Sequence, residues 1–239
     1  MYHKTRGVVL HTIKYSETSV IAKIYTEKLG LQSYIVKGVR ASKSKSKAAM
    51  LQPLTLLEME VSHRENKHLQ YIKEFSRAFV YQSIPFDTLK STISFFLLEV
   101  ISKAIREHEP NAEMFEFIYE ALCALDAEQK LNPDFHLLFL VHLSRYLGFA
   151  PHGNYSEVYS VFEMSEGVFT DEPGTLNVLT KKESRLLSEL LEKNLFENTS
   201  MKITRIERRE MLRNLLKYYQ LHLENFTLKS PDILEEILD

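Results

Sequence analysis

The sequence predicts an α+β protein, with a small five-stranded barrel at the N-terminus and an α-helical domain behind it that carries a small extended, hairpin-like insertion. Three observations predict it. The apolar period is near two over the first eighty residues and changes to near 3.6 from Phe86. Five short β-branched runs in that first part are separated by polar or glycine-bearing connections. Charge is also unevenly divided: residues 1–80 carry 14 Lys+Arg against 6 Asp+Glu, and residues 81–239 carry 16 against 26. A basic first third on an acidic remainder suggests two units, 1–80 and 81–239, with different partners.

The strands come first. Residues Thr5 to Lys14 and Ser19 to Thr26 are β-branched and partly alternating, joined by the polar Tyr15-Ser16-Glu17-Thr18. Lys28-Leu29-Gly30-Leu31 suits a hairpin turn, since Gly30 can take the positive φ that such turns need. Gln32 to Val36 gives a third strand, and Leu54 to Val61 and Leu69 to Phe75 give two more, with Ser62 to His68 as a second hairpin loop and Pro53 just before the fourth strand. The most economical closure of such a set is a five-stranded barrel of the OB type, and an open sheet is the alternative.

Helices follow. Leu89, Ile93, Phe96, Leu97, Val100, Ile101 and Ala104 share one face of a segment that ends before Pro110. A second runs from about Ala112 to Ala127. A third begins after Asn132-Pro133, read as cap and first-turn pair, and reaches Leu147, where Gly148 ends it. Residues 149–179 break the pattern, with Val158 to Met164 and Val168 to Thr170 as the arms of a small hairpin. Thr180-Lys181-Lys182-Glu183 opens another helix with a capping box, and a last long helix runs from Thr204 to Glu224.

The stretch that bears most on function is Lys37-Gly38-Val39-Arg40-Ala41-Ser42-Lys43-Ser44-Lys45-Ser46-Lys47, with five cations in eleven residues and no acid. It reads as a flexible loop leaving the third strand. Arg6, Lys14, Lys23, Lys37 and Arg40 are spread over the same predicted strands, with Tyr25 and Tyr34 among them. Such charges suit a polyanion, because cations that meet phosphates release condensed counterions. The period alone leaves open whether the two tyrosines face a groove or the core.

Other chemistry is sparse. There is no Gly-rich phosphate loop, no Gly-x-Ser-x-Gly elbow and no His-Glu-x-x-His pattern. Cys123 is the only cysteine, which excludes intrachain disulfides and a multi-cysteine zinc site and fits a reducing cytoplasm. No apolar run reaches the ~20 residues of a membrane helix. His136 and His142 lie six apart, on different faces of the third helix. Glu58 and Glu60 share one strand face, where a nuclease could hold a metal, although a solvent-facing strand edge explains them as well.

The order of several short segments resembles the bacterial recombination mediator RecO. They are Gly7-Val8-Val9-Leu10, Tyr15-Ser16-Glu17-Thr18-Ser19, Tyr25-Thr26 ahead of Gly30, Lys37-Gly38-Val39-Arg40, Leu51-Gln52-Pro53-Leu54 and Tyr146-Leu147-Gly148-Phe149-Ala150-Pro151. The resemblance implies an OB-type barrel followed by a helical domain, and a DNA repair and recombination role without enzyme activity or cofactor. It implies binding of single- and double-stranded DNA, annealing of complementary strands, and help in loading RecA together with RecR and the acidic tail of the single-strand-binding protein, in the cytoplasm at the nucleoid. Lys37 and Arg40 are the DNA contacts it carries over. Arg6, Lys14, Lys23, Lys43, Lys45 and Lys47 join them on charge alone. An RNA-binding OB protein, a nuclease built on Glu58 and Glu60, and a scaffold whose basic loop docks an acidic protein are the rival readings. Many family members bind zinc through four cysteines after the Leu-Gly-Phe segment. Here Pro151-His152-Gly153-Asn154-Tyr155 has none, so the insertion must be held by packing of residues such as Tyr155, Val161, Phe162, Val168 and Phe169. Elemental analysis of the purified protein is therefore expected to find no stoichiometric zinc; one equivalent would overturn this.

Overall fold

The computed structural model describes residues 1–39, 45–106, 109–197 and 200–238. Strands β1 (Tyr2–Lys14), β2 (Val20–Thr26) and β3 (Gly30–Val36) are followed by the short helix α1 (Lys45–Ala49), then β4 (Leu56–Ser62) and β5 (Leu69–Arg77). Helices α2 (Thr88–Ala104), α3 (Ala112–Ala127) and α4 (Phe135–Tyr146) come next. The hairpin β6 (Val161–Glu163) and β7 (Val168–Thr170) precedes α5 (Lys181–Glu192), α6 (Arg205–His222) and α7 (Pro231–Leu238). The chain forms two compact units, residues 1–86 with 98–123 and residues 87–97 with 124–239.

In the first unit the five strands close into a barrel in the order β1-β2-β3-β5-β4. Its interior is filled by Val9, Ala22, Ile24, Tyr34, Leu57, Met59 and Val61 with their neighbours. Gly7 sits where a Cβ would come within 2.6 Å of Met59 Cε and 2.7 Å of Ile24 Cγ2, so a side chain at this crowded point of β1 would force the core to shift. One irregularity decides which residues face outward. The β1–β2 register shifts between Val9 and His11, so that Val9 pairs with Ile24 but His11 pairs with Lys23. Strict alternation from Val9 would turn His11 and Ile13 inward. The bulge instead turns Thr12 inward, where its hydroxyl donates to Leu51 O at 2.8 Å, and puts His11 and Ile13 outside.

The basic run departs from the expected loop. Val39 and Leu51 are buried in the barrel core and Met50 packs against it, while Lys45 to Ala49 form α1, as lysine and alanine favour. The connection is thus held at both ends by apolar residues. Leu54 has φ 67°, a left-handed conformation that costs a non-glycine residue about 1 kcal/mol; its N–H donates to Val9 O at 2.7 Å and the Tyr81 hydroxyl donates to its carbonyl.

The second unit is built around α4, which packs on α5 and α6. Asp134, not Asn132, is the N-cap residue of α4, because the Asn132 side chain accepts from the Asp134 N–H and the Asp134 carboxylate is used elsewhere. That buried carboxylate accepts from Met201 N at 2.7 Å and from Arg208 Nε at 2.8 Å. Lys90 is likewise buried, and its ammonium donates to the Asp126 and Glu128 carbonyls at the end of α3, a favourable place for a cation. Thr180 with Glu183 and Thr204 with Glu207 make capping boxes that open α5 and α6. The predicted hairpin is present and packed by rings: Phe162 lies 5.1 Å from Phe169 and 5.5 Å from Tyr218, and Tyr155 lies 6.1 Å from Phe169. Val161 and Val168 are only half-buried.

His136, on α4, is fully buried with its ring edge-on to Phe96, and neither nitrogen has a hydrogen-bond partner among the described residues. Burial pushes its pKa from 6.5 down to about 3. The unfolded chain takes the proton first, so this site removes stability as pH falls from 6.5 toward 3, by up to about 1.4 kcal/mol per pH unit. Calorimetry of His136→Leu is expected to show a smaller fall in melting temperature between pH 7 and pH 5 than the parent shows; equal falls would contradict it.

Candidate nucleic-acid interface

The strand registers sort the barrel's exterior into two regions. On one, β1, β2, β3 and β5 contribute two parallel rows. His11, Lys23, Ser33 and Leu69 are successive partners in the first, and Ile13, Ile21, Ile35 and Tyr71 in the second. The rows are separated by two residues along each strand, about 7 Å. Lys23 and His11 are exposed, as are Ile13 and Tyr15. Lys37 follows directly after β3, and its ammonium lies 5.5 Å from the centroid of the Tyr71 ring. Gly38, with φ +72°, then turns the chain away. Among the described residues, neither Lys23 nor Lys37 forms an ion pair.

The other region lies over the first half of β1, β4 and the second half of β5. It holds a depression of about 570 Å³ lined by Lys4, Arg6, Glu27, Glu58, Glu60 and Glu74 with their neighbours. Arg6 is consumed there. Its Nε donates to Glu27 at 3.1 Å and its Nη2 to Glu116 of α3 at 2.5 Å, while the guanidinium lies 5.4 Å from the Phe115 centroid and 5.0 Å from that of Tyr119. These hydrogen bonds, to Glu27 first, hold Arg6 firmly protonated, and the same bond draws the Glu27 pKa down. Arg6 is therefore a tie between barrel and helix within this unit, a different job from the free cation expected.

The remaining expected residues are dispersed. Lys14 pairs with Val20, whose side chain lies in the core, so by register it shares the inner side of the sheet and is exposed only because β1 ends there. It does not share a face with Lys23. Lys47 is exposed on α1 and Lys45 lies on the same helix. Arg40 and Lys43 lie outside the described residues. Tyr25 and Tyr34 are both fully buried. Tyr34 is in the barrel core, whereas Tyr25 faces outward and is covered by α3, its hydroxyl donating to Asn111 O at 3.2 Å and its ring 5.9 Å from Phe115. Neither can stack on a base. The ring that is presented is Tyr71, which sequence reasoning passed over. Its signal was available, since it stands one position from the inward Gln70 and Ile72 on either side.

Glu58 and Glu60 do not form a strand edge, because β4 is paired on both sides. Glu60 is ion-paired with Lys73 at 2.8 Å. Among the described residues no group of three or more His, Cys, Asp or Glu side chains is placed to hold a metal ion, and no helix is long and apolar enough to cross a membrane.

Comparison with protein families matches residues 1–79 to recombination protein O N terminal and residues 85–232 to recombination protein O C terminal. The chain belongs to the RecO family. A DNA repair protein RecO of Flavobacterium johnsoniae is 39% identical over 240 residues, 99% of each chain. The DNA repair protein RecO of Bacteroides fragilis is 36% identical over 242 residues, covering both chains completely, and that of Christiangramia forsetii is 36% identical over 235 residues, 98% of each. The two RecO family segments meet between residues 79 and 85, close to the change of apolar period. The compact units do not follow that line, since residues 98–123 of the helical segment belong with the RecO barrel.

Arg6→Ala is expected to lower unfolding free energy by about 1 kcal/mol, less than a buried pair would lose because Glu116 is partly solvated. Denaturant titration measures it, and no change would remove the tie from the barrel's support.

Proposed function

We propose that this protein is a non-enzymatic recombination mediator of DNA repair, which binds single- and double-stranded DNA through its barrel and anneals complementary strands. The observation that carries the reading is the pairing of two cations without a described carboxylate partner, Lys23 and Lys37, with an apolar row whose ends, Ile13 and Tyr71, are exposed on a closed five-stranded barrel, in a chain of the RecO family. A cationic face attracts phosphate without needing an exact register. Annealing is opposed by repulsion between two polyanions, and a surface that screens both strands lowers that barrier without nucleotide hydrolysis. The basic run that follows Lys37 in the sequence supplies four more cations, Arg40, Lys43, Lys45 and Lys47. The carboxylates of the other region, Glu27, Glu58, Glu60 and Glu74, repel phosphate and favour one approach. RecR, the acidic tail of the single-strand-binding protein, and RecA indirectly complete the proposed partners.

The experiment is DNA binding against salt, followed by strand annealing with and without single-strand-binding protein. Replacing Lys23 and Lys37 by Ala should flatten the salt dependence by up to about two phosphate contacts, and replacing Lys43, Lys45 and Lys47 by up to about three. Arg6→Ala should leave the slope as it was. Unchanged slopes in both lysine variants would exclude this face, and equal competition by matched RNA would favour a general single-strand binder.

A further inference from the structure

We infer that Tyr71 is a stacking platform for an unpaired nucleobase, and that it gives the barrel face a preference for single strands over duplex. The inference rests on the DNA-binding reading above and adds the form of nucleic acid the face selects.

Tyr71 is fixed by its strand and not by its ring. Its backbone sits at the closing seam of the barrel, opposite Ile35 on β3 and Ser62 on β4. Its inward neighbour Gln70 is locked by three hydrogen bonds, Oε1 accepting from Arg64 N at 2.9 Å and Nε2 donating to the Arg64 and Lys67 carbonyls. The residue is 42% exposed, with the Lys37 ammonium over its ring. It ends a row that continues through Ile35 and Ile21 to Ile13, which is 47% exposed. Ile35 within the row is already buried, but the exposed ring and the exposed isoleucine at its ends cost solvation unless they are covered, and the flanks say what covers them. Lys37 stands 5.5 Å from the Tyr71 centroid, and Lys23 and His11 form the parallel row about 7 Å away. An apolar protein partner would leave these cations desolvated and unpaired. A single strand answers both needs, because each nucleotide brings a flat π-face and an anion together. A duplex offers the same phosphates with its bases already stacked inside, so it meets the lysines and not the ring.

The test uses the full chain and three labelled probes: a homothymidine strand, an abasic strand of the same length and charge, and a duplex. The parent should bind the homothymidine strand about tenfold tighter than the abasic one, the loss expected for one stacked base. Tyr71→Ala and Tyr71→Leu should both erase that difference while keeping duplex affinity and salt slope; Tyr71→Phe should keep it. The leucine variant retains apolar cover without a ring, so its loss assigns the effect to stacking. Homothymidine affinity unchanged in Tyr71→Ala, or an equal loss on all three probes, would overturn the inference while leaving DNA binding in place. A parent that binds no probe at low salt would remove the underlying reading and this one with it.

Discussion

The pairing of β3 with β5 is the contact on which the barrel depends. It is short, with Ser33, Tyr34 and Ile35 opposite Leu69, Gln70 and Tyr71, and it is the parallel step in a sheet otherwise antiparallel. Antiparallel neighbours can be joined by tight turns, but a parallel neighbour requires the chain to cross over first. Residues 37–55 make that crossing toward β4, and Val39, Met50 and Leu51 anchor it against the barrel core. The basic run therefore stands where topology demands a long connection. Its cations are free to be polar because its apolar residues already do the anchoring.

The same closure separates the charges. In an open sheet Glu58 and Glu60 would lie on an edge, whereas in the barrel they stand opposite Arg6 and Lys4 on β1, in a region where Glu27 and Glu116 pair with Arg6 and Glu60 pairs with Lys73. Lys23 and Lys37 lie on the other side of the strands' exit, where no described carboxylate answers them. The net positive charge of the first eighty residues thus overstates how many cations are available, and their placement matters more than their sum.

Much of the fold was legible because it rests on period and punctuation. The five strands, the helix beginning at Thr180 and the hairpin after Gly148 follow from alternation, capping chemistry and glycine. What was hidden depends on long-range registration. Nothing local marks Leu10 as the residue at which β1 changes face, and so Ile13 could not be assigned to the surface. Arg6 looked like a free cation because Glu116 lies 110 residues away in the chain. Whether Tyr25 faced a groove or the core could not be read, because its cover comes from α3. Helices α1 and α7 are short enough that flanking polar residues mask their pattern.

One consequence concerns how this barrel could be inherited or borrowed. The covering of Tyr25 and the second of Arg6's two ion pairs come from Asn111, Phe115 and Glu116, beyond the point where the family's N-terminal segment stops. A gene fragment cut at that point would carry every barrel strand and the Arg6–Glu27 pair, yet bare a tyrosine and take the second carboxylate from the guanidinium. The compact unit is discontinuous in the chain, so an intact barrel draws on residues 98–123 as well as on residues 1–86.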